Sequence, residues 1–217
     1  MRAKGAPADP SNPPGQMPAT DDEIREKYLE RAIRELNQLT REIQNCDHCP
    51  RGNLMPVLGS GHPQADIMLL KFAPTAAEIE EGVAFYGRAG NALMKSFTRL
   101  GIDPLAVYGT LCVKCPVSDP SLAGAECVDR VVEEIAIVQP RMIVVMGERA
   151  LAALNEIDVP LGAELAATTG EVQSYTPTID ALLVPDIDES LDSEDSKRAF
   201  WSAFRALGDW YAELPPY

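Results

Sequence analysis

The sequence lacks any long hydrophobic run. No apolar stretch approaches the roughly 20 residues that a helix needs to cross a bilayer, and the opening MRAKGAPADPSNPPGQMPAT has no apolar segment of the kind found in secretory signals. We therefore expect no membrane contact and a cytoplasmic location. The chain still has 46% hydrophobic residues among 217, which is enough for one sizeable domain with its own core.

Basic residues are also few. There are 19 lysines and arginines against 33 aspartates and glutamates, so the formal net charge is -14. A surface of that sign repels phosphate backbones unless basic side chains are gathered locally. Composition alone therefore disfavours DNA as a partner and favours a protein with a basic surface.

The first 20 residues differ in composition from the rest of the chain. They contain five of the 18 prolines, with Gly, Ser and Ala between them. Such a segment buries too little apolar surface to order itself. We predict a disordered tail over residues 1–20 and a folded domain over residues 21–217.

Two long helices are indicated at the ends of this domain. From Asp21, apolar residues recur at helical spacing as far as Ile43, with Thr20 or Asp21 available as the cap. The pattern predicts a helix that ends just before Cys46. Near the C-terminus one face of a second helix carries a set of apolar and aromatic residues that is typical of core packing: Phe200, Ala203, Phe204, Leu207 and Tyr211.

Between these helices, short apolar runs alternate with helical patterns. The strand-like runs are ADIMLLK, AVYGTLCVK, RMIVVMG and ALLVP, and segments with helical periodicity follow them. Strands separated by helices of roughly 10 to 15 residues are typical of a parallel sheet covered on both faces. We predict a single α/β domain with a central, mostly parallel sheet flanked by helices.

Five cysteines stand out in a chain that we expect to be cytoplasmic: Cys46, Cys49, Cys112, Cys115 and Cys127. In that setting they are more often reduced or metal-bound than disulfide-linked, and an odd count leaves one outside any set of pairs. Cys112 lies in a strand-like run, where residues three apart point to opposite faces. We therefore favour a metal site on Cys46, Cys49, Cys115 and Cys127, with Cys112 as a small buried hydrophobic residue.

The identity of the metal stays open at this point. Four thiolates, two of them in a C-x2-C pair, fit either zinc or a 4Fe-4S cluster, and spacing does not choose between them. We interpret His48, between the paired cysteines, as a solvated residue rather than a ligand.

Several motifs in the same order resemble the family 4 (iron-sulfur) uracil-DNA glycosylases. These are Cys46-x2-Cys49-Pro50, PVLGSGHPQADIMLL, AP, FYGRAGNALMKSF, a strand ending in VKC, a further cysteine and IVVMGERAL, over roughly residues 43–156. The resemblance implies a hydrolase ancestry in base-excision DNA repair. It also implies a 4Fe-4S cluster on the four favoured cysteines, with a structural role of clamping loops near the DNA.

The resemblance also implies where a substrate would bind. An enzyme of this class flips a base out of the duplex and stacks it on an aromatic ring, and Phe85 stands at that position. The backbone from Gly87 to Gly90, with Arg88 between them, would approach the flipped base closely. Without the resemblance, Phe85 is more simply a core residue.

Three functional positions of the family are occupied by residues of the wrong chemistry. Phe72 stands where the family has a water-activating polar or acidic residue, Leu111 where it has a base-reading Asn, and Asp188 where it has a catalytic His. A phenyl ring does not polarise water, and a leucine offers no hydrogen bond to a base edge. An ionised Asp opposes negative charge developing on the base. No catalytic residue is assigned, and the pattern predicts weak or lost activity on uracil.

Three functions remain open from the sequence. The first is a divergent glycosylase for another base, with a carboxylate from Glu78, Glu80 or Glu81 activating water, although we favour a solvated helix face for these residues. The second is a non-catalytic member of the same fold that binds a protein or mimics DNA charge. The third is an unrelated α/β domain with a zinc site.

Overall fold

Six strands form one mixed sheet in this computed structural model, which describes residues 20–120, 123 and 125–215. They are β1 (Ser60–Gly61), β2 (Ile67–Lys71), β3 (Val107–Leu111), β4 (Met142–Met146), β5 (Val172–Thr176) and β6 (Ile179–Val184). Their order across the sheet is β1-β3-β2-β4-β6-β5. The four central strands are parallel, and the short edge strands β1 and β5 pair antiparallel. The prediction of a mostly parallel α/β sheet is confirmed.

Helices cover both faces of the sheet. They are α1 (Asp21–Asn45), α2 (Ala76–Glu81), α3 (Arg88–Leu100), α4 (Ala125–Val138), α5 (Glu148–Glu156), α6 (Ile187–Ser190) and α7 (Glu194–Ala212), with a 3-10 turn at Pro104–Ala106. Side chains of α3 and α7 form one apolar core, and side chains of α4 and α5 form a second. Among the described residues, no helix combines the length and apolar character that a bilayer span requires.

Helix α1 begins and ends where the sequence predicts. Thr20 and Glu23 form a reciprocal capping box at its start, and it ends at Asn45. Its apolar stripe is only partly buried, because Ile24 and Tyr28 are 41% and 59% exposed. Farther along α1, Glu42 forms an ion pair with Arg130 of α4. Apart from Thr20, the predicted disordered tail over residues 1–20 lies outside the described residues.

The chain changes direction across the sheet between β2 and β4. From β2 it continues to β3 on one side, and from β4 it continues to β6 on the other. In open α/β sheets this switch leaves a crevice at the carboxyl ends of the two strands, where ligands bind. Lys71 and Met146, which are register partners, end β2 and β4 at that point. The fold therefore directs attention to the loop after Lys71.

Candidate functional site

Lys71 is at the centre of the residues gathered at this edge of the sheet. Its Nζ lies 2.7 Å from Oε2 of Glu78 and 2.6 Å from Oδ2 of Asp188. The same amine lies over the ring of Phe85, 5.4 Å from the ring centroid. The Lys71 side chain is 1% exposed. A cation is thus held between two carboxylates beside the aromatic ring that was predicted to stack a base.

Glu78 is the buried partner that fixes this arrangement. Its side chain is fully buried, and its Oε2 accepts from Lys71 and from the N–H and hydroxyl of Thr75, at 2.7 and 2.9 Å. Its Oε1 accepts from the N–H of Phe85 at 2.5 Å. Four donors therefore satisfy this carboxylate, which is the condition for burying a charge.

The interpretation of the acidic run as a solvated helix face is wrong for Glu78. Glu80 and Glu81 are exposed, as expected of such a face, but Glu78 is buried. It occupies the third position of α2, from which a carboxylate reaches back to the N-cap residue Thr75. The Thr75-x-x-Glu78 spacing is that of a capping box, and this spacing could have indicated from the sequence that Glu78 folds back onto the helix start.

Phe85 adopts a left-handed backbone conformation, with φ at 61°. A Cβ atom at Gly90 would lie 2.0 Å from the Phe85 carbonyl oxygen, and one at Gly109 would lie 2.6 Å from Cδ2 of its ring. Both glycines are therefore needed for the ring to sit where it does. Gly87 also has a positive φ, of 86°, and begins α3. The sequence singled out Gly87 and Gly90 but not Gly109.

The three altered family positions do not all lie together. Leu111 ends β3 as the register partner of Lys71 and is fully buried in the same apolar cluster as Phe85. Asp188 bonds to Lys71 and lies in the first turn of the short helix α6, where the Asp186 side chain accepts from its N–H at 2.8 Å. Phe72 instead packs on the other core and on the cysteines, away from Phe85.

Two arginines contact residues at the altered family positions. Arg88 is exposed and bonds to the Asp188 carbonyl at 3.2 Å and to Asp192 Oδ1 at 2.5 Å, so an acid offsets its charge. The guanidinium of Arg149 lies over the ring of Phe72, 4.1 Å from the centroid. Sequence reasoning did not identify Arg149.

Three of the predicted metal ligands are brought together in the interior. The Sγ atoms of Cys49, Cys115 and Cys127 lie within 4.8 Å of one another, and all three residues are buried. Cys46 follows the end of α1 and is outside this group, with its Sγ 3.2 Å from Nδ1 of the exposed His48. Cys112 is 1% exposed in a separate apolar cluster, as expected of a hydrophobic residue, and burial raises the pKa of its thiol to about 12.

The three grouped cysteines have the chemistry of a soft metal centre. The hydrogen bond between the side chains of Cys115 and Cys127 lowers the pKa of Cys127 to about 5. The N–H of Lys114, which donates to Cys127 Sγ at 3.1 Å, also lowers this pKa. The same hydrogen bond raises the pKa of Cys115. One member is thus poised as a thiolate, the form that binds metal. This donor set fits zinc and iron-sulfur clusters equally.

A second buried ion pair supports the cysteines. Nζ of Lys114 lies 2.8 Å from Oε2 of Glu134, and both side chains are at most 2% exposed. The hydroxyls of Tyr108 and Thr110 also donate to this carboxylate, at 3.0 and 2.8 Å. Glu134 lies on α4, which carries Cys127, so the pair joins that helix to the loop after β3. Sequence reasoning missed it.

Comparison with known proteins identifies the family. The model of the uracil DNA glycosylase superfamily matches residues 58–205, which include the Lys71 site and two of the three grouped cysteines. The chain belongs to the uracil DNA glycosylase superfamily. The expected α/β glycosylase-like fold and the recognised ancestry are thereby confirmed.

Type-4 uracil-DNA glycosylases are the relatives found within this superfamily. That of Pyrobaculum aerophilum is 34% identical over 131 residues, which are 57% of this chain and 66% of the relative. That of Sulfurisphaera tokodaii is 32% identical over 53% of this chain and 56% of its own length. The enzyme of Archaeoglobus fulgidus is 24% identical over 83% and 96%. The chain thus spans less than two thirds of the length of the first two relatives.

Proposed function

We propose that this chain is a divergent iron-sulfur member of the superfamily, of base-excision repair ancestry, that releases uracil weakly or not at all. The proposal rests on one observation above the others, which is the position of Lys71. Its buried amine lies 5.4 Å from the centroid of the ring on which a flipped base would stack. A base entering that place would have to displace a cation held by two carboxylates.

The residues around Lys71 support the same proposal. Leu111 is fully buried and apolar, so it offers no donor or acceptor to a base edge. Asp188, at the position of the family's His, holds a negative charge that is already paired with Lys71. Loss of one donor to a developing anion typically costs about 100- to 1000-fold in rate. The residues at positions 111 and 188 together therefore favour a loss of uracil release over a modest reduction in its rate.

We further propose a 4Fe-4S cluster on Cys46, Cys49, Cys115 and Cys127. The grouped thiols of three of them and the iron-sulfur character that the resemblance implies support this assignment, and the C-x2-C spacing brings in Cys46. When bound, the cluster would supply a rigid cross-link between the segment after α1, the loop after β3 and helix α4. Zinc on the same thiolates is the alternative. Iron and sulfide analysis of anaerobically purified protein separates the two.

A non-catalytic role with a basic protein partner is the second candidate function. It is favoured by exposed acids in the segment that follows α6, where Asp192, which pairs with Arg88, Glu194 and Asp195 are 69%, 75% and 93% exposed. Such a surface opposes a phosphate backbone and complements a basic protein. This role shares the absence of uracil release with the first proposal and differs from it in DNA binding.

The decisive experiment compares base release by this chain and by the Pyrobaculum aerophilum relative. Cluster-loaded protein is incubated anaerobically, in excess, with single- and double-stranded oligonucleotides that contain uracil, hypoxanthine or xanthine. We expect release of uracil by the relative and little or none by this chain. Uracil release at a comparable rate would overturn the proposal. Release of another base would favour a changed specificity, and absence of both release and binding would favour the protein-binding role.

A further inference from the structure

The altered family positions lack groups that act on a base, whereas the site holds a group that does not need one. A water-activating residue, a base-reading amide and a donor to the departing base are absent at Phe72, Leu111 and Asp188. A primary amine is present between two carboxylates. Lysine amines condense with carbonyl carbons to form Schiff bases. A sugar that has already lost its base carries such a carbonyl carbon in its ring-opened form.

We propose that Lys71 is a nucleophile toward the aldehyde of an abasic deoxyribose in DNA. This inference rests on the proposed function only in that the chain must still admit a flipped nucleotide. It requires no uracil release, since the abasic site is formed elsewhere. An abasic sugar needs neither a stacking platform nor base-edge hydrogen bonds. The loss of base-specific groups at this site therefore leaves this reaction intact.

The two carboxylates have different roles because their burial differs. Glu78 is fully buried and accepts four hydrogen bonds, so it holds the amine in place. The Asp188 side chain is 31% exposed and 2.6 Å from the amine, so it lies on the side from which an incoming sugar can reach the amine. Asp188 is also positioned to accept the proton that the ammonium must lose before it attacks.

The reaction balances without a further reagent. The ring-opened sugar presents an aldehyde at C1′, and Lys71 transfers a proton to Asp188 and forms a bond from Nζ to C1′. Asp188 returns that proton to the hydroxyl of the carbinolamine, which leaves as water and gives the protonated imine. The regenerated Asp188 carboxylate then removes a proton from C2′, the bond from C3′ to oxygen breaks, and the 3′ phosphate leaves with the electron pair. Water hydrolyses the imine and restores the amine, so the products are a cleaved strand and an unsaturated aldehyde.

Reductive trapping tests this proposal directly. Cluster-loaded protein is incubated with an abasic oligonucleotide and cyanoborohydride, which reduces the imine to a stable cross-link. An oligonucleotide with a tetrahydrofuran abasic analogue, which has no aldehyde, reports binding without reaction. The chain has six lysines, so peptide mapping of the wild-type adduct identifies the reacting amine without any variant. We expect the adduct on Lys71.

Two variants provide matched controls. Lys71→Arg keeps the positive charge between the carboxylates but has no nucleophilic amine, and we expect the cross-link and strand cleavage to fall to background. Lys27→Arg changes an exposed lysine on α1, and we expect it to trap like the wild type. An adduct on another lysine or the N-terminus, or trapping that survives Lys71→Arg, would overturn the proposal. So would retention of the tetrahydrofuran oligonucleotide without any cross-link to the aldehyde, or a failure to bind either oligonucleotide.

Discussion

The main-chain N–H of Phe85 donates to Oε1 of Glu78 over 2.5 Å, while the other oxygen of that carboxylate binds Lys71. One buried side chain therefore sets both the ring that faces the site and the amine beside it. It also holds Phe85 in a left-handed conformation that few non-glycine residues adopt. Substitution of Glu78 should thus affect stability and site geometry together.

Glu78→Gln removes the charge that compensates Lys71 in the interior. Breaking a buried ion pair by altering one partner costs about 3 to 5 kcal/mol, and Asp188 remains beside Lys71, so we expect about 3 kcal/mol of destabilisation. Glu80→Gln, two residues along the same helix and exposed, should stay within about 0.5 kcal/mol of the wild type. Urea unfolding of cluster-loaded protein measures both. Equal stability of the two variants would show that the Lys71 pair contributes little.

Glu134→Gln should weaken the connection between α4 and the loop after β3. The variant leaves the ammonium of Lys114 buried without its ion-pair partner, at a cost of about 3 to 5 kcal/mol. Its neighbour Glu133 forms an exposed pair with Arg130, and such pairs contribute about 0.2 to 1 kcal/mol. Glu133→Gln is therefore the control, and the same urea titration compares them. If the two variants unfold alike, the buried pair is not a major support of this region.

Single cysteine substitutions distinguish the ligands from the buried thiol. We expect Cys49→Ser, Cys115→Ser and Cys127→Ser to lose bound iron, because a four-thiolate site seldom tolerates the loss of a ligand. Cys46→Ser should do the same if the proposed set is right. Cys112→Ala should keep its iron, since this residue lies in the apolar core. Iron and sulfide content per chain is the measurement, and loss of iron in the Cys112 variant would contradict the ligand assignment.

Neutralising exposed acids in the segment that follows α6 should strengthen DNA binding. Asp192→Asn and Asp195→Asn together release Arg88 and Arg198 from their ion pairs. We expect affinity for a single-stranded oligonucleotide to rise on the order of tenfold at low salt, with a steeper salt dependence.

The matched control changes the net charge equally on another surface. Glu26→Gln and Glu30→Gln together neutralise two exposed acids on α1, and we expect a smaller rise. Fluorescence anisotropy at several salt concentrations compares the two double variants. An equal rise in both would mean that net charge, and not this segment, controls binding.

Much of the fold could be predicted because it depends on local patterns. The buried strands β2, β3, β4 and β6 are short apolar runs, and the helices between them have their own periodicity. The start of α1 could be predicted from its capping residue, Thr20. The exposure of Ile24 and Tyr28 was not predictable in this way, because it depends on where distant elements pack.

The sequence by itself determined the α/β architecture, the limits of α1 and the order of cysteines and glycines that revealed the family. These features depend on spacing along the chain, which a sequence displays directly. Only the tertiary structure decided that Lys71 bonds to Asp188, 117 residues away, and that Lys114 pairs with Glu134. A lone charged residue in a pattern does not reveal its partner. A charged residue needs a partner when it is buried, and the packing of distant elements decides which residue that partner is.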